Sequence, residues 1–156
     1  NMSRKFVLNS LAILSFSALG FAYFVEFVLG HEPCNLCLIE RIPYIGALIL
    51  SSLILFIKKW EKIIISLILL LFIFGAIVSI YHVGIEQGIF NESILCELGI
   101  NNTAQNTEEL LKILENTPIS CKEVTFTIFG LSLATFNAVL SIVISYILFK
   151  LIFKNE

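Results

Sequence analysis

Four apolar stretches, each about as long as a membrane-spanning helix, alternate with shorter polar segments along the chain. They cover approximately residues 6–29, 37–57, 63–83 and 126–149. A helix needs about 20 predominantly apolar residues to cross the roughly 30 Å hydrocarbon core of a bilayer. The pattern therefore predicts an all-α fold, a four-helix transmembrane bundle, within a single integral membrane domain spanning 1–156.

The first stretch shares one feature with a secretory signal peptide, because Arg4 and Lys5 precede it. Its apolar run is longer than the roughly 7–15 residues of a signal-peptide core, and no small-residue cleavage site follows it. We therefore expect this stretch to remain in the protein as a membrane anchor.

A long polar loop, approximately 84–125, separates the third and fourth stretches. Within it, residues 107–115 favour a short amphipathic helix, with Thr107 as the N-cap, acidic residues in the first turn and Pro118 beyond the end. The apolar flank of this helix could lie on the membrane surface or pack on the ends of the spans. The sequence favours neither placement.

Composition supports a membrane protein. Of the 156 residues, 58% are hydrophobic and only 14% are charged, with a mean hydropathy of +0.94. Soluble domains carry about 25% charged residues. The net charge is −2 and no basic cluster is present, which argues against a nucleic-acid partner and leaves membrane lipid as the expected surroundings.

The basic residues predict the orientation of the spans. Seven of the ten lie at the N-terminus, in the loop at 58–62 or at the C-terminus, and the positive-inside rule places such segments in the cytoplasm. Both termini are then cytoplasmic, and the loop at 84–125 lies outside. All four cysteines fall on the outer side, where an oxidising compartment permits disulfides. These seven basic residues are Arg4, Lys5, Lys58, Lys59, Lys62, Lys150 and Lys154.

A Cys-x-x-Cys pair, Cys34 and Cys37, stands at the outer end of the second stretch. In a helical turn the two thiols face the same way, and a helix N-terminus lowers the pKa of a thiol. Arg41 follows one turn later and could hold a thiolate, although Glu40 or Glu26 could pair with it instead. The pair alone is compatible with a redox centre, a static disulfide or half of a zinc site.

The second pair, Cys96 and Cys121, has 24 residues between its members. It could form a static disulfide that restrains the loop, or an exchangeable one that approaches Cys34. A zinc site made of all four thiolates is a third alternative. Of the two histidines, His82 could donate a hydrogen bond to a quinone, and we predict no metal site at either His82 or His31.

Three motifs together resemble the bacterial disulfide bond formation protein B family, DsbB. They are PCNLCLIER at 33–41, YHVGIEQG at 81–88 and FGLSLATFN at 129–137. With four spans and four outer cysteines in the same order, the resemblance covers nearly the whole chain. One departure is Phe136, where many members of the family carry Trp.

The resemblance implies a four-helix inner-membrane oxidase of bacteria with its cysteines on the periplasmic side. Such a protein takes electrons from a soluble periplasmic thiol oxidase of thioredoxin-like fold, a DsbA-like partner. It passes them to a membrane quinone, ubiquinone or menaquinone, and so to the quinone pool and the respiratory chain. No nucleotide-binding motif competes with this assignment.

The resemblance also implies roles for individual residues. All four cysteines would be catalytic: Cys96 forms the mixed disulfide with the partner, and the released Cys121 engages Cys34. Cys37, freed as a thiolate, would then contact the quinone. The cofactor-binding residues would be Cys37, Arg41 and His82.

Two other classes of protein remain open from the sequence. One is a non-enzymatic tetraspan membrane protein with two structural disulfides, and the other is a metal-binding membrane protein. The sequence does not identify the quinone, the partner, the resting disulfide pairing or the oligomeric state, because four cysteines allow three pairings.

Overall fold

A computed structural model of the chain describes residues 3–92, 96, 107–108, 111, 120–124 and 126–154. Four of its helical segments are long and apolar enough to cross a membrane: Arg4–Phe27, Asn35–Phe56, Lys58–Glu86 and Leu133–Phe153. The predicted all-α, four-helix transmembrane fold is confirmed. The elements are α1 (Arg4–Phe27), α2 (Asn35–Ile39), α3 (Ile42–Phe56), a 3-10 turn (Lys58–Trp60), α4 (Glu61–Glu86), β1 (Thr127–Ile128), β2 (Leu131–Ser132) and α5 (Leu133–Phe153).

The second span is two helices rather than one. The short α2 ends at Ile39, and α3 begins at Ile42, with Glu40 and Arg41 at the junction. Pro43 lies in the first turn of α3, where its missing N–H breaks no helical hydrogen bond. The sequence predicted one uninterrupted stretch at 37–57, because hydropathy does not register a local break of this kind.

The fourth span, α5, begins at Leu133, later than the predicted start near 126. The residues before it form a hairpin in which β1 pairs antiparallel with β2. Phe129 and Gly130, with φ of 52° and 79°, form its two-residue turn. Positive φ at both positions is the geometry of a type I′ turn, which matches the twist of paired strands. The side chain of Ser132 then caps α5 by accepting a hydrogen bond from the Thr135 N–H.

The third span, α4, extends beyond the predicted stretch of 63–83 and includes His82 and Glu86 near its C-terminal end. The predicted short helix at 107–115 lies outside the described residues except for 107–108 and 111. Its two alternative placements therefore stay predictions.

The helices pack in a chain of neighbours, with α1 against α3, α3 against α4, and α4 most extensively against α5. Gly75 of α4 lies where three helices come close together. A Cβ at this position would lie 2.9 Å from Pro43 Cγ and 3.6 Å from Ser141 Oγ. Small residues allow such approach between membrane helices, where dispersion contacts rather than water exclusion hold the bundle together.

The surface of the bundle is far more apolar than that of a soluble protein. Many large apolar side chains point outward, whereas Ser15, Ser79 and Ser141 are fully buried. A surface of this kind suits contact with lipid tails. Ser15 Oγ has no hydrogen-bond partner among the described residues, whereas Ser79 and Ser141 find partners inside the protein. Asn137 provides such partners, because its Nδ2 donates to Ser79 Oγ at 2.6 Å and its Oδ1 accepts from the hydroxyl of Tyr44.

Candidate redox site

The two cysteines of the Cys-x-x-Cys pair are placed by α2. Cys34 is the N-cap residue of this helix, and its Sγ accepts a hydrogen bond from the Cys37 N–H at 3.4 Å. The two sulfur atoms lie 2.9 Å apart and are not bonded to each other. Cys34 is buried and Cys37 is partly exposed. The structure therefore brings the two sulfurs into direct contact, as the helical spacing predicted.

His82 of the neighbouring helix α4 faces this pair. Its Nε2 lies 3.6 Å from Cys34 Sγ, and its Nδ1 lies 3.2 Å from Glu40 Oε1. On the same side of α4, Glu86 Oε1 lies 3.6 Å from Nε2, and Glu86 Oε2 accepts a hydrogen bond from Ser132 at 2.6 Å. His82 and Glu40 are only 3% and 7% exposed, so these polar groups satisfy one another away from water.

Cys34 lies just outside the spanning helix, and its surroundings favour the thiolate. The pKa of the Cys34 thiol is lowered from its ordinary value of 9.0, chiefly by a hydrogen bond from the Cys37 side chain. Burial opposes the shift, and hydrogen bonding and charge from His82 reinforce it. A thiolate is the nucleophilic form of cysteine, so Cys34 is suited to thiol–disulfide exchange.

The second cysteine pair lies next to the first. Cys96 and Cys121 form a disulfide, and both are buried in one cluster with Cys34 and Leu36. The Asn35 side chain donates a hydrogen bond to the Cys96 carbonyl oxygen at 3.2 Å. The structure thus brings all four cysteines together, with one disulfide formed and with Cys34 and Cys37 free.

Arg41 pairs with Glu26 rather than with its sequence neighbour Glu40. The Arg41 Nη1 to Glu26 Oε2 distance is 2.6 Å, and the guanidinium also lies over the Tyr23 ring, 4.8 Å from its centroid. The break between α2 and α3 turns Glu40 towards His82 and Arg41 towards α1. A carboxylate near the end of a span is costly unless paired, and Arg41 supplies that partner for Glu26.

A cavity of about 290 Å³ lies between α1, α5 and the cysteine pair. Cys37, Arg41 and His82 line it together with apolar side chains. Phe21 and Phe136 also line the cavity and are 42% and 40% exposed on the bundle surface. The cavity wall therefore continues into the lipid-facing surface. The cavity volume is close to the lower limit of about 300 Å³ for small-molecule sites, and a few polar groups among apolar ones are typical of them.

The cavity wall thus combines apolar side chains with the polar groups of Arg41 and His82. The other histidine, His31, also lines the cavity, and its ring contacts Phe126 with centroids 5.3 Å apart.

Sequence reasoning missed three residues of the site: Glu86, Ser132 and the role of Glu40. Glu86 had a readable signal, since it stands four residues after His82 and shares its helix face. Ser132 had one as well, as a helix-capping residue ahead of an apolar run. The pairing of Glu40 with His82 spans 42 residues and had no local signal.

Comparison with known proteins places the chain in a family. It matches the family model described as "Disulfide bond formation protein DsbB" over residues 4–151. It is 32% identical over 139 residues to "Uncharacterized protein RP370" of Rickettsia prowazekii, covering 87% of this chain and 81% of that protein.

Two further relatives carry the printed name "Disulfide bond formation protein B". The proteins of Cupriavidus pinatubonensis and Cupriavidus necator are 32% and 33% identical over 75 residues, which is 48% of this chain and 47% of each relative. No solved structure matches the chain. Because the family model covers nearly all of the sequence, the chain belongs to the DsbB family, a family of oxidoreductases of disulfide bond formation.

Proposed function

We propose that this protein re-oxidises a periplasmic DsbA-like dithiol oxidase and passes the electrons to a membrane quinone. The observation that carries the proposal is the position of Cys37. It contacts the Cys34 sulfur on one side and lines the cavity on the other. A sulfur in that position can receive electrons from thiols at the membrane surface and release them to a lipid-soluble acceptor.

Electrons would enter through the second pair. A thiolate of the partner attacks Cys96 Sγ and breaks the Cys96–Cys121 bond, which releases Cys121 as a thiolate. Cys121 then attacks Cys34 of an oxidised Cys34–Cys37 pair, and Cys37 leaves as the thiolate. The common buried cluster of these cysteines supports exchange between the two pairs.

Two further exchanges complete the transfer. The partner's second thiolate resolves the mixed disulfide and releases Cys96, so the partner leaves oxidised. Cys96 then attacks Cys121, which restores the Cys96–Cys121 disulfide and frees Cys34. The net result moves two electrons from the partner to Cys34 and Cys37.

Energetics require a strong terminal acceptor. A DsbA-type oxidase has a potential of about −120 mV, whereas ordinary structural disulfides lie below about −300 mV, a gap worth about 8 kcal/mol for two electrons. Such a disulfide alone cannot re-oxidise the partner. A quinone bound at the cavity would supply a two-electron, two-proton acceptor.

Cys37, Arg41 and His82 are the residues that would hold the quinone. Arg41 keeps a donor at the cavity wall because the ion pair with Glu26 restrains its side chain. His82 is oriented by Glu40, which leaves Nε2 facing Cys34. The apolar walls exclude water, and their continuity with the lipid-facing surface offers a lateral path from the membrane.

The proposal includes a location. The basic residues at both termini and in the loop at 58–62 support a cytoplasmic position for these segments under the positive-inside rule. The cysteines then face the periplasm of a bacterial inner membrane, where a DsbA-like partner and the quinone pool are both accessible.

Purified protein, a reduced DsbA-like dithiol protein and a water-soluble quinone analogue test the function. We expect catalytic loss of quinone absorbance in step with loss of partner thiols. Cys96→Ser should abolish electron entry but leave quinone binding intact. No quinone consumption by folded protein would reject the proposal. It would favour the non-enzymatic tetraspan protein with structural disulfides, for which substitution of Cys37 has no effect.

A further inference from the structure

We propose, against the sequence-based prediction of no metal site at His82, that the reduced protein binds one Zn²⁺ ion through Cys34, Cys37 and His82. The candidate ligand atoms of these residues, two Sγ atoms and one imidazole nitrogen, lie within 4.8 Å of one another. Two cysteines and one histidine form a known donor set for zinc sites that keep a fourth position open. The inference concerns metal binding and does not depend on the proposed quinone chemistry.

One of the distances already fits tetrahedral coordination, and Cys37 has to move to satisfy the others. Bonds of about 2.3 Å to sulfur and about 2.0–2.1 Å to nitrogen separate the two ligand atoms by about 3.6 Å. Cys34 Sγ and His82 Nε2 are 3.6 Å apart. Two zinc-bound sulfurs stand about 3.8 Å apart, compared with 2.9 Å between Cys34 and Cys37 here. A small rotation of the partly exposed Cys37 side chain can supply that change.

Glu40 supplies the second feature of a zinc site. Histidines that bind metals almost always donate their other ring N–H to a carboxylate, a carbonyl or a water. Glu40 Oε1 lies 3.2 Å from His82 Nδ1. This contact fixes the ring so that Nε2 points to the sulfur atoms, which is the orientation a bound ion requires.

Glu86 lies near this group but outside it. Its Oε1 lies 3.6 Å from His82 Nε2, and its other oxygen accepts the Ser132 hydrogen bond, but the ligand atoms that lie within 4.8 Å of one another belong to Cys34, Cys37 and His82. The fourth position of a tetrahedral ion would therefore be left open to water or to another ligand from solution.

Binding depends on the redox state. Each thiol loses one proton when its sulfur binds Zn²⁺, so two protons are released and no electrons move. A closed Cys34–Cys37 disulfide has no thiolate to offer. The ion would therefore select the reduced protein. If the proposed function holds, zinc would also inhibit turnover by trapping that state.

The test uses the full chain in detergent with Cys96→Ser and Cys121→Ser, which leaves Cys34 and Cys37 as its two cysteines. Equilibrium dialysis against Zn²⁺ and elemental analysis should give one ion per chain for reduced protein and almost none after oxidation. Co²⁺ in place of Zn²⁺ should show thiolate-to-metal absorbance. No binding by the reduced protein, or equal binding by the oxidised protein, would overturn the proposal.

Matched substitutions locate the ligands. His82→Ala should weaken binding at least about 100-fold, whereas His31→Ala should leave it unchanged. Glu40→Gln should weaken binding about 10–100-fold, as loss of a carboxylate behind a metal-bound histidine does. Equal affinities of His82→Ala and His31→Ala would overturn the site. The comparison of reduced with oxidised protein needs no change at His82, so it decides the question even if a His82 variant fails to fold.

Discussion

The two ends of the bundle bury different kinds of side chain. One end, where α1 and α4 begin and α3 and α5 end, is packed with aliphatic residues such as Ile65, Ile68 and Leu148. The opposite end buries Cys34, Cys96 and Cys121, with Cys37 packed against them, beside His82 and its carboxylates. We refer to them as the apolar end and the redox end.

The two ends differ in how strictly their contacts depend on the identity of each residue. Aliphatic packing is non-directional, so residues of similar volume can replace one another at the apolar end. Ionisable groups near lipid are costly and occur where they are paired or functional. At the redox end Arg41 pairs with Glu26 and His82 with Glu40. Substitutions at the apolar end should therefore change stability, and substitutions at the redox end should change activity.

The largest effect is expected at Cys37. Cys37→Ser should lower quinone-coupled turnover by on the order of a thousandfold or more, as loss of a reacting side chain does. The unfolding temperature should remain near that of the unsubstituted protein, because serine is slightly smaller than cysteine. Steady-state quinone consumption and thermal unfolding in the same detergent measure both quantities. Turnover near the original rate would remove Cys37 from the electron path.

At the apolar end, Ile68→Ala should destabilise the protein by about 2–5 kcal/mol, because it leaves a cavity at a fully buried position. Its neighbour Leu67 is 45% exposed on the same helix, and Leu67→Ala serves as the control with little expected loss. Turnover per folded molecule should be unchanged in both variants. A selective loss of turnover in folded Ile68→Ala would break the division between the two ends.

An intermediate effect is expected at the ion pair. Arg41→Gln should raise the KM for quinone about 10–100-fold, equivalent to about 1.4–2.7 kcal/mol, since it removes a donor and leaves Glu26 unpaired. Combining it with Glu26→Gln separates the two causes. If the double variant recovers a normal KM, Arg41 only neutralises Glu26. If KM stays high, Arg41 acts on the quinone itself.

The smallest effect concerns pH. The pKa of Cys34 is lowered in the folded, reduced protein, so the unfolded chain binds more protons between that value and 9.0. The added stability is complete above pH 9.0 and is lost as the pH falls towards the lowered pKa. We expect the stability difference between reduced protein and Cys34→Ser to shrink on acidification. A difference that stays constant with pH would contradict a lowered pKa at Cys34.

Sequence patterns predicted what depends on local chemistry. The number of spans follows from hydropathy, because each stretch must be long enough to cross a bilayer. The proximity of Cys34 and Cys37 follows from helical spacing, and the family motifs contain both of them. Hydropathy could not distinguish the hairpin at 127–132 from the start of the fourth helix, since both are apolar and the hairpin depends on backbone φ at Phe129 and Gly130.

Tertiary structure decided the partners. Nothing local in the chain pairs His82 with Cys34, which is 48 positions away, or Arg41 with Glu26 rather than with the adjacent Glu40. These choices depend on how each helix is rotated about its axis and on the break between α2 and α3, both of which are set by packing against neighbouring helices. The sequence thus determined which reactive groups the protein has and how many helices carry them. Only the folded bundle decided which of those groups meet, because contact between distant residues is a property of packing rather than of sequence neighbourhood.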